Sequence, residues 1–78
     1  MAKKFKFKIE NEIYEWPNQF ITGGEVRSVG SGIPENMDLF VKEKGKAGRL
    51  VTLTDRIDLD DPGVEKFYSQ ESSSGAGI

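Results

Sequence analysis

Phe5, Phe7 and Ile9 alternate with Lys4, Lys6 and Lys8 near the start of the chain. Successive side chains of a β-strand point to opposite faces. The alternation therefore predicts a half-buried strand, apolar on one face and cationic on the other. Glu10-Asn11-Glu12 follows as a short polar turn. Ile13-Tyr14-Glu15-Trp16 predicts a second strand, ended by Pro17, which has no N–H to give to a ladder. Two strands this close in sequence can only pair as an antiparallel hairpin.

The pattern then changes. In Ile21-Thr22-Gly23-Gly24-Glu25-Val26, Thr22 and Glu25 stand at the spacing of a capping box, in which each side chain accepts a backbone N–H at the start of a helix. Ile21 before the cap and Val26 after it are spaced for a hydrophobic staple. The predicted helix carries Val26 and Val29 and stops near Gly30. Two early glycines weaken it intrinsically, so packing against a sheet has to hold it. Residues 31–36 read as a loop. Met37-Asp-Leu-Phe-Val-Lys42 predicts a third strand, Lys44 to Gly48 a turn, and Arg49 to Leu53 a fourth strand. Asp55 to Gly63 is mostly polar, with Ile57 and Leu59 dipping inward. Val64 to Tyr68 predicts a short fifth strand, and from Ser69 onward only polar and small residues remain until Ile78.

Strand, strand, helix, strand, strand, strand is a two-layer α+β order, one helix across a five-strand sheet. It resembles the ubiquitin-like β-grasp. That resemblance implies a mixed sheet with the last strand beside the first in parallel, which periodicity alone does not give. The domain is expected over residues 3–68, with 69–78 as a flexible C-terminal tail.

The likeness extends beyond the fold. The opening hairpin, Ile21-Thr22-Gly23, Asp58-Leu59 and Pro62-Gly63-Val64-Glu65-Lys66-Phe67 resemble, in order and spacing, the bacterial multiubiquitin family of ubiquitin-like domains. Family members resemble the protein modifier of bacterial ubiquitination-like operons, several of which are associated with defence against phage. The resemblance implies an activating enzyme, a conjugating enzyme and a deconjugating peptidase as partners, with self-association or chains as a further possibility. The chain has room for one copy of the domain and shows no internal repeat.

Composition narrows the chemistry. The 78 residues include no cysteine and no histidine. Disulfides and thiolate metal sites are thereby excluded, as are histidine-based nucleophilic pairs. An enzyme is not expected, because carboxylates alone need a cleft that so thin a domain hardly offers. Neither a cofactor nor a metal is expected. Asp55, Asp58, Asp60 and Asp61 lack the alternating ligands, central glycine and distal glutamate of a calcium loop and read as turn and cap residues.

Eleven basic residues against thirteen acidic ones give a net charge of −2, which argues against wholesale phosphate binding. The first-strand lysines could still contact nucleic acid, but they read first as a solvated face that discourages edge pairing. No apolar run approaches the roughly 20 residues of a membrane span, and Met-Ala-Lys-Lys-Phe-Lys has no apolar stretch behind its charges. A cytoplasmic location is expected, without nucleic-acid or membrane partners.

Two groups of residues are candidates for function. Under the modifier resemblance, the tail Ser69 to Ile78 is a reactive arm, since glycine lets another backbone approach closely. It lacks a terminal Gly-Gly, so a peptidase has to expose a glycine carboxylate. Gly77 is the first choice, requiring loss of Ile78 alone, and Gly75 is the second. The other reading of the tail is a frayed terminus. The second group is Phe40, Tyr14, Trp16 and Tyr68, the large aromatics that a single helix leaves exposed as interface anchors. If Leu39 and Val41 face the helix, Phe40 lies on the open sheet face, the usual docking surface of ubiquitin-like domains. The alternative is that these aromatics belong to the main core.

Overall fold

The opening hairpin is β1 (Phe5–Ile9) and β2 (Glu12–Trp16) in the computed structural model, which describes residues 4–30 and 32–71. Its turn is shorter than the sequence suggested. Ile9 pairs with Glu12, so the turn is Glu10-Asn11 alone. Glu10 takes a φ of 55°, a left-handed conformation that costs a non-glycine residue roughly 1–2 kcal/mol. Two bonds to another strand offset it. The Glu10 N–H donates to the Phe67 carbonyl at 2.8 Å, and the Glu10 carboxylate accepts the Ser69 N–H at 3.1 Å.

The remaining elements are β3 (Phe20–Thr22), α1 (Gly23–Ser28), β4 (Met37–Glu43), β5 (Arg49–Val51), β6 (Arg56–Asp58) and β7 (Val64–Glu71). Five strands form one mixed sheet in the order β2-β1-β7-β4-β5. The last strand lies beside the first in parallel, with Ile9 paired to Phe67, and every other pairing in the sheet is antiparallel.

Three details differ from the sequence expectation. Two further strands exist: β3 and β6 pair antiparallel as a separate ribbon, Ile21 opposite Ile57. The order is therefore three strands, a helix and four strands, and the helix shares its layer with the ribbon. Both strands have three residues, of which one is buried, too short for any period to register. The fourth strand ends at Val51 rather than Leu53. The last strand runs on to Glu71, because Ser69, Gln70 and Glu71 pair with Leu39, Asp38 and Met37 of β4. Backbone pairing extends it where the side chains are polar.

The helix starts as read. Thr22 Oγ1 accepts the Glu25 N–H at 3.2 Å and Glu25 Oε1 accepts the Thr22 N–H at 2.9 Å, a complete capping box. Ile21 and Val26, the staple pair, are both fully buried. Gly23 is fixed by what it approaches. Its N–H donates to the Asp55 carbonyl at 3.0 Å, and a Cβ there would overlap the Thr52 carbonyl oxygen. With six residues, the helix is far below the length at which propensity alone stabilises one, so its buried face holds it.

One core results. Phe7, Leu39, Val41, Val51 and Phe67 from the large sheet meet Val26 from the helix and Ile21 and Ile57 from the ribbon. The Phe67 ring meets the Phe7 ring edge-on at 5.8 Å. The opposite face of the sheet carries no second layer among the described residues.

Candidate interaction surface

The open face follows from strand alternation. On β4, Leu39 and Val41 are fully buried, so Asp38, Phe40 and Lys42 point the other way. On β7, Phe67 is buried, leaving Lys66 and Tyr68 on the open side. Register then sets the neighbours. Tyr68 is opposite Phe40, and Phe40 is opposite Leu50 of β5. The Phe40 and Tyr68 rings stack at 5.4 Å between centroids and 14° between planes. Leu50 is 49% exposed, and no sequence signal singled it out, since it sits in an apolar run where either face was possible.

Tyr68 reaches further than its neighbour strand. Its ring crosses β4 to lie on the backbone at Gly48, where a Cβ would stand 2.8 Å from Cζ and nearer still to the hydroxyl. Gly48 is thus the seat of the ring. The Tyr68 hydroxyl has no hydrogen-bond partner among the described residues.

Further across the face, Lys6 and Lys8 of β1 and Ile13 of β2 continue the surface, Ile13 opposite Lys8 and 63% exposed. Ile13 was read as strand but not as surface. With the two-residue turn it falls among the lysines. Lys42 is tied down, its ammonium donating to the carbonyls of Lys46 at 2.7 Å and Glu43 at 2.9 Å. Lys4 meets Glu15 at 3.7 Å with both side chains exposed, a pairing worth about 0–1 kcal/mol.

Tyr14 and Trp16 do not belong to this face. Tyr14 pairs across the hairpin with Phe7, and Trp16 with Phe5, so both point toward the core layer. Phe7 touches Tyr14 at 5.8 Å and Trp16 at 6.4 Å between ring centroids. The Trp16 indole N–H donates to the Phe20 carbonyl at 3.1 Å, bridging the hairpin to the ribbon. The Tyr14 hydroxyl donates to Glu12 Oε1 at 3.0 Å. That bond, above all, raises the Tyr14 pKa from its ordinary 10.0, because ionising the phenol breaks the bond and sets two negative charges together. The four aromatics thus divide: Phe40 and Tyr68 form one surface pair, and Tyr14 and Trp16 frame the core edge.

The aspartates hold loops. The Asp55 carboxylate accepts the Thr52 N–H at 2.9 Å, Asp58 accepts the Asp60 N–H at 2.9 Å, and Asp61 accepts the Gly63 N–H at 2.8 Å. Asp58 also accepts from the Gln19 side-chain amide at 3.0 Å. Thr52's bonds lower the Asp55 pKa from its ordinary 3.8, with Arg49 adding a smaller attraction.

A stacked aromatic pair and two exposed aliphatics lie among ammonium groups on the open face, a mixture of apolar area and polar rim of the kind found at protein interfaces. Gly75 and Gly77 lie outside the described residues. Among the described residues no helix is long and apolar enough to cross a membrane. Comparison of the chain with family models, with curated proteins and with solved structures finds no match in any of the three.

Proposed function

We propose that this chain is a ubiquitin-like β-grasp domain of the multiubiquitin type, serving as a bacterial protein modifier. Its open sheet face is what an activating enzyme, a conjugating enzyme and a deconjugating peptidase grip, and a glycine carboxylate at Gly77 or Gly75 is what they join to targets in an anti-phage pathway. One observation carries the reading: the first and last strands pair in parallel at the sheet's centre, Ile9 to Phe67, while the helix closes one face and leaves Phe40 and Tyr68 on the other. The β1–β2 hairpin and the antiparallel unit β7-β4-β5 meet at this parallel pairing, and the sheet keeps one free side for recognition. In this role the chain has no catalytic work of its own and acts in the cytoplasm.

Expression of a tagged chain together with the enzymes of such an operon tests this. Covalent adducts that survive denaturation, with a Gly77 or Gly75 carbonyl in the new bond by mass spectrometry, are the expected result. Absence of any adduct from chains ending at either glycine contradicts it.

A second reading is favoured by the open face itself, which needs no tail. In it the chain is a β-grasp module that binds partners or copies of itself and is never conjugated. Deleting residues 72–78 then leaves partner binding and the mass by light scattering unchanged, whereas a modifier loses attachment.

A further inference from the structure

The sheet is not evenly closed. β1 and β7 are central strands, yet they share one paired position, Ile9 with Phe67. Toward their N-terminal ends they part. The cause lies on the other side of β7. Its ladder with β4 shifts register between Lys42 and Glu43, where Lys42 faces Lys66 but Glu43 faces Val64, so Glu65 is the extra residue of a bulge. The Gly63 carbonyl, just before β7, accepts the Lys44 N–H at 2.6 Å. Both features draw the start of β7 toward β4 and away from β1, and a bulge bends its strand in this way.

The parting leaves a cleft of about 180 Å³ lined by Lys6, Phe7, Lys8, Ile13, Leu59, Val64, Glu65, Lys66 and Phe67. Its lining comes from both sides of the sheet. Lys6, Lys8, Ile13 and Lys66 belong to the open face and form the mouth. Phe7 and Phe67 belong to the buried core and back the cleft, while the half-buried Leu59 and Val64 packed beside them supply its accessible apolar floor.

Size and charge identify the occupant. An apolar cavity of about 150 Å³ holds one benzene ring, so this cleft takes a single phenylalanine- or leucine-sized group. That is one side chain, not a cofactor. At the mouth three lysines stand against Glu65. Lys6, Lys8 and Lys66 have no hydrogen bond or ion pair among the described residues. Ammonium groups spread along two strands match carboxylates spread along an extended chain.

We propose that the cleft between β1 and β7 seats one apolar side chain of an acidic peptide, with flanking carboxylates on Lys6, Lys8 and Lys66. The site is distinct from the Phe40–Tyr68 stack. It needs neither the tail nor any enzyme, so it stands or falls separately from the modifier reading.

The test is an NMR titration of the isotopically labelled full chain at low ionic strength. The probe is an acetylated, amidated pentapeptide with one phenylalanine between two pairs of aspartates. The largest amide shifts are expected at Lys6, Lys8, Ile13, Leu59, Val64 and Lys66. A peptide with alanine in place of the phenylalanine binds at least tenfold more weakly, as does the wild-type probe on the Lys8→Glu, Lys66→Glu double variant. Both substituted lysines lie outside the core, so the variant keeps its fold. Leu50→Ala leaves the affinity unchanged. The proposal is overturned if the shifts centre on Phe40, Leu50 and Tyr68, if the alanine peptide binds equally well, if no shifts occur, or if a single-stranded oligonucleotide binds the same residues more tightly than the peptide.

Discussion

Tyr68 lies with its ring on the backbone of Gly48, across the intervening strand β4, and that seat is what holds it flat against Phe40. A methyl group at position 48 would displace the ring, which is the free end of an open-face side chain. Gly48→Ala should therefore cost little stability, about 1 kcal/mol or less, in the range of one aromatic pair. It should still abolish the stack. Loss of the ring-current shifts on the Phe40 protons, with the denaturation midpoint nearly unchanged, is the expected outcome. A loss above about 3 kcal/mol would mean that the ring is part of the core.

Leu39 and Phe40 are adjacent in sequence and opposite in role. Leu39→Ala empties a fully buried site and should cost about 2–5 kcal/mol. Phe40→Ala removes surface area and one stack and should cost about 1.5 kcal/mol or less. Urea unfolding of the two variants checks the order. Equal losses would place Phe40 in the core.

At the helix start, Thr22→Ala removes one half of the capping box and should cost about 1 kcal/mol. Gly23→Ala should cost more, roughly 3 kcal/mol, because its Cβ meets the Thr52 carbonyl oxygen, a backbone atom that cannot swing aside. Thermal unfolding of both variants should rank Gly23→Ala as the weaker protein.

Acid should act in part through Asp55. Its folded pKa lies below the ordinary 3.8. A depressed folded pKa means that the contribution is complete above the unfolded value and is lost as pH falls through the folded one. Wild-type stability measured from about pH 5 down to pH 1 should therefore fall more steeply than that of Asp55→Asn, whose side chain does not titrate. Parallel curves would show that the bond from the Thr52 N–H does not favour the ionised form.

Much of this architecture is legible in the chain, for physical reasons that particular residues show. Phe5, Phe7 and Ile9 announce β1 because one face is buried and the other wet. Thr22 and Glu25 announce the helix because capping chemistry is local. Phe40 is placed by Leu39 and Val41, which flank it and must both be inside. What sequence misses is set by partners distant in the chain. The ribbon of β3 and β6 brings Ile21 to Ile57, with one buried residue in each strand. Residues 69–71 are strand because β4 offers its backbone.

Tyr14 and Trp16 show how far one residue of register reaches. A strand's facing reverses with a one-residue slip, and the turn is Glu10-Asn11, one residue shorter than its polar run. That one residue sends both aromatics inward and Ile13 outward. The cleft between β1 and β7 depends on a bulge at Glu65 and a hydrogen bond from Lys44 to Gly63, neither of which has a sequence signature.

The central claim is that an activating enzyme recognises this sheet face and acts on a glycine carboxylate. ATP–pyrophosphate exchange with chains ending at Gly77 and at Gly75 measures it directly, using an activating enzyme of a bacterial ubiquitination-like operon. The account predicts ATP-dependent exchange with at least one of the two chains, and a KM raised tenfold or more by Tyr68→Ala without loss of fold. No exchange with either chain, under conditions where the enzyme activates its own modifier, would contradict it.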